Sequence, residues 1–308
     1  MKVLMIGGTA LVGPEVIREL TGDGFAVVST LTRSGRSYYF ETAFTGDRDN
    51  ENALFNALNE VNPDVIIDMI PFTVKNAEIL ASMCRRLDAM PRLIAVSSID
   101  VYRAYGRLSK TEDAPHQPSP IREDMALRTA YGPEGAAYDK IGVERIYREA
   151  FVDLTILRMP AIYGWPDKTR VQFYLDQMLK GATKIKIPKD RASFKFSRCL
   201  HKNAAFAISL AVRSDLVGQR IYNVAEPPTF TEYEWAQRIA QHCGWPGDFE
   251  VSEPNEEAFK PLQHFEVDTQ AIRNELGFEE KFDPAAGLAD TIAFYAYSKF
   301  GKQYEKYY

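Results

Sequence analysis

The sequence predicts an α/β fold: a doubly wound parallel sheet with a smaller, discontinuous C-terminal lobe. Three observations carry this expectation. Short aliphatic runs of strand length alternate with helix-like stretches through the first half. A glycine-rich turn follows the first run at once. After about residue 165 the alternation gives way to a Lys/Arg-rich segment and then to sequence rich in Pro, Glu and aromatics.

The elements follow in order. Lys2–Ile6 (KVLMI) is the first strand, and Pro14–Leu20 has helical spacing. Ala26–Thr32 (AVVSTLT) is the second strand, and Gly46-Asp47-Arg48 closes a third. A helix over Asn52–Asn59 leads to the strand Asp64–Ile70, and a helix over Lys75–Leu87 leads to the strand Leu93–Ser97. Helix Ala137–Phe151 then runs into Leu154–Arg158. These runs are almost continuously apolar, as strands covered on both faces are. Further on, Val171–Leu179 is a helix, while Ala204–Val212 and Ile221–Val224 are a helix and strand returning to the sheet. Thr231 and Glu234 have the spacing of a capping box for a helix ending at Cys243. The expected division is 1–165, with 199–226 returning to it, against a lobe made from 166–198 and 227–308.

Composition narrows the function. The chain has 308 residues, 45% of them hydrophobic and 26% charged, which excludes disordered, collagen-like and disulfide-framework classes. A net charge of −5 gives no basic excess, so a nucleic-acid partner is not expected. Cys84, Cys199 and Cys243 form no CxxC pair and read as free thiols of a reducing, cytoplasmic setting. The most apolar stretch, Val65–Phe72, is interrupted by Asp68 and Pro71 and is too short to span a bilayer, so no membrane association is expected. His116, His201, His242 and His264 are scattered without zinc spacing, and neither GxSxG nor a P-loop occurs. Phe294 and Tyr297, near the C-terminus, are expected to cap the small lobe or form an interface.

The turn Gly7-Gly8-Thr9-Ala10-Leu11-Val12-Gly13 lies between the first strand and the first helix, the context a Rossmann-type dinucleotide phosphate turn requires. Gly7 permits the tight turn, backbone N–H groups can meet a pyrophosphate, and Gly13 allows close packing. Ala10 stands where such turns have a middle glycine. About twenty residues further on, an acid would accept hydrogen bonds from the adenosine ribose hydroxyls; here Thr32-Arg33-Ser34-Gly35-Arg36 supplies two guanidinium groups instead. Arg33 and Arg36 can pair with a 2′-phosphate, which favours NADP over NAD. Asp47 is a candidate acceptor for the adenine amino group.

Taken together, IGGTALVG, GDR at 46–48, VSSIDVY at 96–102, DKIGVE at 139–144, LRMPAIYG at 157–164 and YNVAEP at 222–227 resemble the extended short-chain dehydrogenase/reductase family, the NAD(P)-dependent epimerases and dehydratases. The resemblance runs from Met1 to about Gly244. It implies hydride transfer at a carbinol or ketone carbon of a small polar substrate. It also implies cofactor contacts from Gly7, Thr9, Ala10, Leu11, Val12, Gly13, Arg33, Arg36, Asp47, Arg48, Met69, Ser97, Lys140, Pro160 and Ile162. Ser98 falls on the family's catalytic serine, and Lys140 with Glu144 on its K-x-x-x-E. The plainer alternative for Lys140 and Glu144 is a surface helical ion pair worth a few tenths of a kcal/mol.

The family's tyrosine precedes its lysine by four residues, and that position is Ala136. Three possibilities stay open: Tyr138 reaches the site from irregular chain, Tyr131 serves from an insertion, or no tyrosine serves. Tyr102 and Arg198 are candidate substrate contacts. Ala161 replaces the Asn usual in nucleotide-sugar enzymes, which tilts the expectation towards a reductase or dehydrogenase. The alternative is a catalytically degenerate dinucleotide-binding regulator, or an RNA- or protein-binding module. By the same resemblance, a homodimer would form through the helices at Lys75–Leu87 and Ala137–Phe151.

Overall fold

Strand β1 (Lys2–Ile6) sends alternate side chains to opposite faces of a sheet: Val3 and Met5 pack on one side, Leu4 and Ile6 on the other. The computed structural model describes residues 1–39, 41–167, 169–254 and 262–301. After β1 come α1 (Gly13–Thr21), β2 (Val27–Thr32), β3 (Thr42–Thr45), α2 (Glu51–Val61), β4 (Val65–Asp68), α3 (Val74–Cys84) and β5 (Arg92–Ser98). The short α4 (Arg103–Leu108), then α5 (Lys140–Ala150) and β6 (Leu154–Met159), complete the first half.

The second half contains β7 (Ala161–Tyr163), α6 (Thr169–Leu179), β8 (Lys184–Pro188), α7 (Lys189–Ala192) and β9 (Arg198–Leu200). It continues with α8 (His201–Arg213), β10 (Gln219–Asn223), α9 (Glu232–His242), β11 (Asp248–Ser252), α10 (Gln270–Leu276) and α11 (Pro284–Phe300).

The main sheet has seven strands in the order β10-β6-β5-β4-β1-β2-β3, and every neighbouring pair is parallel. Helices α1 and α8 bury Val16, Ile17, Ala204 and Ile208 against one face. On the other face α2, α3 and α5 bury Leu54, Leu80 and Val143. The sheet is therefore doubly wound, as the apolar runs predict. The chain travels outward from β1 through β2 to β3, then restarts at β4 on the other side of β1. That reversal opens a crevice at the carboxyl ends of β1 and β4, where ligands of such sheets bind.

A third apolar cluster gathers α6, β8, α9 and α11 around Tyr163, Leu175, Trp235 and Ile292. It carries two small parallel pairs, β8 with β11 and β7 with β9. Thr231 and Glu234 do form the capping box of α9. Phe294 and Tyr297 are exposed on α11, where Phe294 stacks on Trp165 with ring centroids 5.3 Å apart. All three cysteines are free and buried. Among the described residues no helix is long and apolar enough to cross a membrane. No group of His, Cys, Asp and Glu among them is placed to hold a metal ion.

Candidate active site

A cleft of about 240 Å³ opens where the carboxyl ends of β4, β5 and β6 meet the segment before α5. Its walls bring together Met69 and Phe72 after β4, Ser98 and Asp100 at the end of β5, and Tyr138 with Lys140. Pro160 and Ala161 close the side below.

Residues Gly135–Tyr138 form a 3₁₀ turn, and α5 begins only at Lys140, not at Ala137 as its sequence suggests. The cause is Asp139, whose backbone (φ −110°, ψ 73°) is neither helical nor extended and whose carboxylate caps the helix by accepting the Gly142 N–H at 3.0 Å. On an unbroken helix, residues two apart diverge by about 200°. The break at Asp139 removes that constraint, and Tyr138 and Lys140 face the same cleft, with the Lys140 Nζ 5.4 Å from the Tyr138 ring centroid. Tyr131 is 55% exposed and does not line this cleft.

Ser98 Oγ accepts the Asp100 N–H at 3.1 Å, which starts a one-turn 3₁₀ helix, Ile99–Val101. The same hydroxyl is in polar contact with the Tyr138 phenol and the Asp100 carboxyl. Burial, with Asp100 adding to it, pushes the Tyr138 phenol well above its ordinary range, while Ser98 draws it partly back. Burial also raises the Asp100 carboxyl. Lys140 is 3% exposed and its Nζ donates to the Val96 carbonyl at 3.1 Å. Burial lowers its ammonium to about 8, opposed by the nearby Asp68 carboxylate.

Lys140 and Glu144 do not form the surface ion pair that their spacing allows. Glu144 is buried against Arg158 at 2.8 Å and accepts the Ser97 hydroxyl at 2.6 Å.

The glycine turn meets the demands of a dinucleotide. Gly7 and Gly8 have φ of +88° and +101°, a backbone that L side chains rarely adopt. A Cβ on Gly13 would stand 2.2 Å from the Gly8 Cα, so the turn can close onto the helix only with glycine there. Leu11 is held at φ +35°, and Val12 offers α1 no side-chain cap. The helix thus presents its N–H groups to whatever anion enters the turn. Tyr38 donates its hydroxyl to the Thr9 carbonyl at 3.0 Å, drawing the segment after β2 over the turn. Arg33, Arg36 and Asp47 are exposed in the segments after β2 and β3, Met69 lines the cleft that holds Ser98, and Ile162 packs on the core instead. A nicotinamide dinucleotide fits this cradle.

Three expected contacts are corrected by their surroundings. Arg48 is buried in an ion pair with Asp68 (2.5 Å) and donates to the Asn76 carbonyl, while the Tyr147 hydroxyl donates to the same Asp68; it is an internal strut with no free face for a cofactor. Ser97 lines the cleft as expected, with its hydroxyl donating to Glu144. Tyr102 is fully buried, donating to Asn223 at 2.6 Å and accepting from Arg158 at 2.9 Å, so it packs and does not touch substrate. Arg198 is engaged by Glu232 (2.6 Å) and the Phe196 carbonyl, and lines a separate cavity between β7 and α11.

Several cleft residues escaped the sequence reading, among them Asp100, Phe72 and Arg170. Asp100 sits inside the VSSIDVY motif, where an acid between a serine and a tyrosine was the available signal. Phe72 carried no signal beyond its place just after an apolar run.

Comparison with known proteins gives four matches. The description "NAD dependent epimerase/dehydratase family" matches residues 3–225. A dTDP-glucose 4,6-dehydratase of Streptomyces niveus is 23% identical over 331 residues, covering 96% of this chain and 93% of that protein. Among solved structures, UDP-glucose 4-epimerase of Thermotoga maritima with UDP-glucose superposes with a TM-score of 0.74 at 16% identity, covering 97% of this chain and 99% of that one. The dTDP-glucose 4,6-dehydratase of Bacillus anthracis in complex with NAD gives 0.73 at 15% identity, with 97% of both chains covered.

Proposed function

The chain belongs to the NAD dependent epimerase/dehydratase family, an enzyme family of the NAD(P)-dependent kind, and from that premise we propose an NADP-linked reductase or dehydrogenase acting on a carbinol or ketone carbon of a small polar substrate. The observation that carries this reading is the convergence of Ser98, Tyr138 and Lys140 on one cleft despite the displaced tyrosine. When bound, the nicotinamide dinucleotide supplies or accepts the hydride. Ser98 donates a hydrogen bond to the substrate oxygen, and Tyr138 moves the proton at that oxygen. Burial and Asp100 both favour the protonated Tyr138 phenol, the form that donates to a carbonyl oxygen. The Lys140 ammonium orients the nicotinamide ribose and offsets negative charge growing on the phenol. Asp100 is the one carboxyl among the described residues lining the cleft, beside Ser98.

Arg33 and Arg36 support NADP over NAD, since no carboxylate stands among residues 33–36 to meet a ribose hydroxyl. The reading extends to a cofactor half (1–165 with 199–226) and a substrate lobe (166–198 with 227–308), in a cytoplasmic enzyme. Residues 255–261 and 302–308 of that lobe lie outside the described residues. Helices α3 and α5, side by side on one face of the sheet, are the proposed surface of a homodimer.

The test is turnover with a panel of small carbonyl compounds, following NADPH consumption. Tyr138→Phe is expected to lower kcat by about 100-fold or more while NADPH still binds. Undiminished turnover in that variant overturns the assignment.

A further inference from the structure

We propose that Phe72 is the positioning residue that lets a tyrosine two places before the lysine serve this site, by pinning the break in the chain and by sharing the lysine's charge between two rings. This rests on the acid–base reading above and deepens it.

The break needs an anchor, because Asp139 has a backbone that neither the 3₁₀ turn nor the helix would select. Its N–H donates to the Phe72 carbonyl at 2.7 Å, a bond from outside both elements. Phe72 is itself fixed. Its N–H donates to Asn76 Oδ1 at 3.0 Å, and Asn76 completes with Thr73 the capping box of α3. The anchor is thus tied to the start of α3, the helix packed beside α5.

The Phe72 side chain has a second task. It is 42% exposed at the cleft rim and belongs to no apolar cluster among the described residues, so core packing does not account for it. Its ring lies 5.9 Å from the Tyr138 ring and 4.8 Å from the Lys140 Nζ. The ammonium therefore lies against two aromatic faces at once, an arrangement that favours its charged form.

The charged groups around Lys140 come from several elements, and Arg170 of α6 lines the same cleft. Asp68 of β4, Asp100 beyond β5 and Glu144 of its own helix favour the ammonium, whereas Arg48, from the segment before α2, opposes it. Arg48 and Asp68 are paired with each other, as are Arg158 and Glu144, so neither acid is free to serve Lys140 alone. Against burial, the two rings join the Val96 carbonyl and Asp100 in holding the charge.

The experiment is an NMR titration of protein carrying lysine labelled with ¹³C at Cε, with the Lys140 signal assigned by its loss in Lys140→Arg. The wild type is expected to titrate near 8. Phe72→Leu keeps the backbone anchor and removes the ring, and should lower the midpoint by roughly 0.5–1.5 pH units. Phe72→Tyr should restore it. In turnover, the alkaline limb of kcat should move down by the same interval, with KM little changed. A Lys140 midpoint that does not move in Phe72→Leu overturns the proposal, whether or not kcat falls. The titration involves no turnover, so its failure is separate from failure of the acid–base roles, which Tyr138→Phe tests.

Discussion

Arg33 and Arg36 are exposed in the segment after β2 and form no ion pair among the described residues. An unpaired guanidinium at that place has a 2′-phosphate as its natural partner. Arg33→Ala is therefore expected to weaken NADPH binding roughly ten- to fifty-fold while leaving NADH binding unchanged. Fluorescence titration with the two dinucleotides decides it, and equal losses for both would remove the case for NADP. Other arginines show why residue type and position were not enough. Arg48 and Arg198 stand in suggestive places, yet each is claimed by an acid that sequence does not place beside it, Asp68 and Glu232. Tyr102 follows the serine motif closely, but the 3₁₀ helix that Ser98 starts turns it inward to Arg158 and Asn223. What sequence lacks at this scale is direction.

Elements were more legible. The strands of the main sheet fall within a residue or two of the apolar runs, because burial on both faces leaves little freedom in composition. The glycine turn was equally plain, and its geometry makes a firm prediction. Gly13→Ala places a methyl group 2.2 Å from the Gly8 Cα and 2.3 Å from its carbonyl oxygen, so the turn must open. A loss of about 1–3 kcal/mol in stability is expected, together with weaker dinucleotide binding. Thermal unfolding and NADPH titration check both parts, and an unchanged Tm with unchanged affinity would count against the cradle. Strand β8 was missed although its pattern was available: in KIKIP the isoleucines are buried and the lysines exposed. In sequence its lysines merge with the neighbouring basic residues, which hides the alternation. The late start of α5 was hidden because Ala136, Ala137 and Tyr138 suit a helix, and only the contacts of Asp139 end it.

At the scale of the molecule, the Arg158–Glu144 pair joins parts that lie far apart in sequence. Arg158 also donates to the Tyr102 hydroxyl and the Glu123 carbonyl, and Tyr102 continues to Asn223, which reaches the Ile121 and Asp268 carbonyls. Helix α5, the ends of β5, β6 and β10, and the segments at 121 and 268 are bound in one buried network. Glu144→Ala leaves a buried guanidinium without its acid and is expected to destabilise the fold by about 3–5 kcal/mol. A surface pair between Lys140 and Glu144 would be worth only about 0.3–0.5 kcal/mol. Urea unfolding separates the two through the midpoint at constant slope.

The strand order of the main sheet has a consequence for synthesis. β1 is early in the chain yet lies inside the sheet, and its partner β4 begins only at Val65. The partner that covers β6, β10, arrives at Gln219–Asn223. Until those residues have left the ribosome, the growing chain carries β6 as a bare parallel edge with unpaired N–H and C=O groups. Completion of this enzyme is therefore a late and slow event, set by pairings between distant residues, and the unfinished chain is the species most exposed to aggregation.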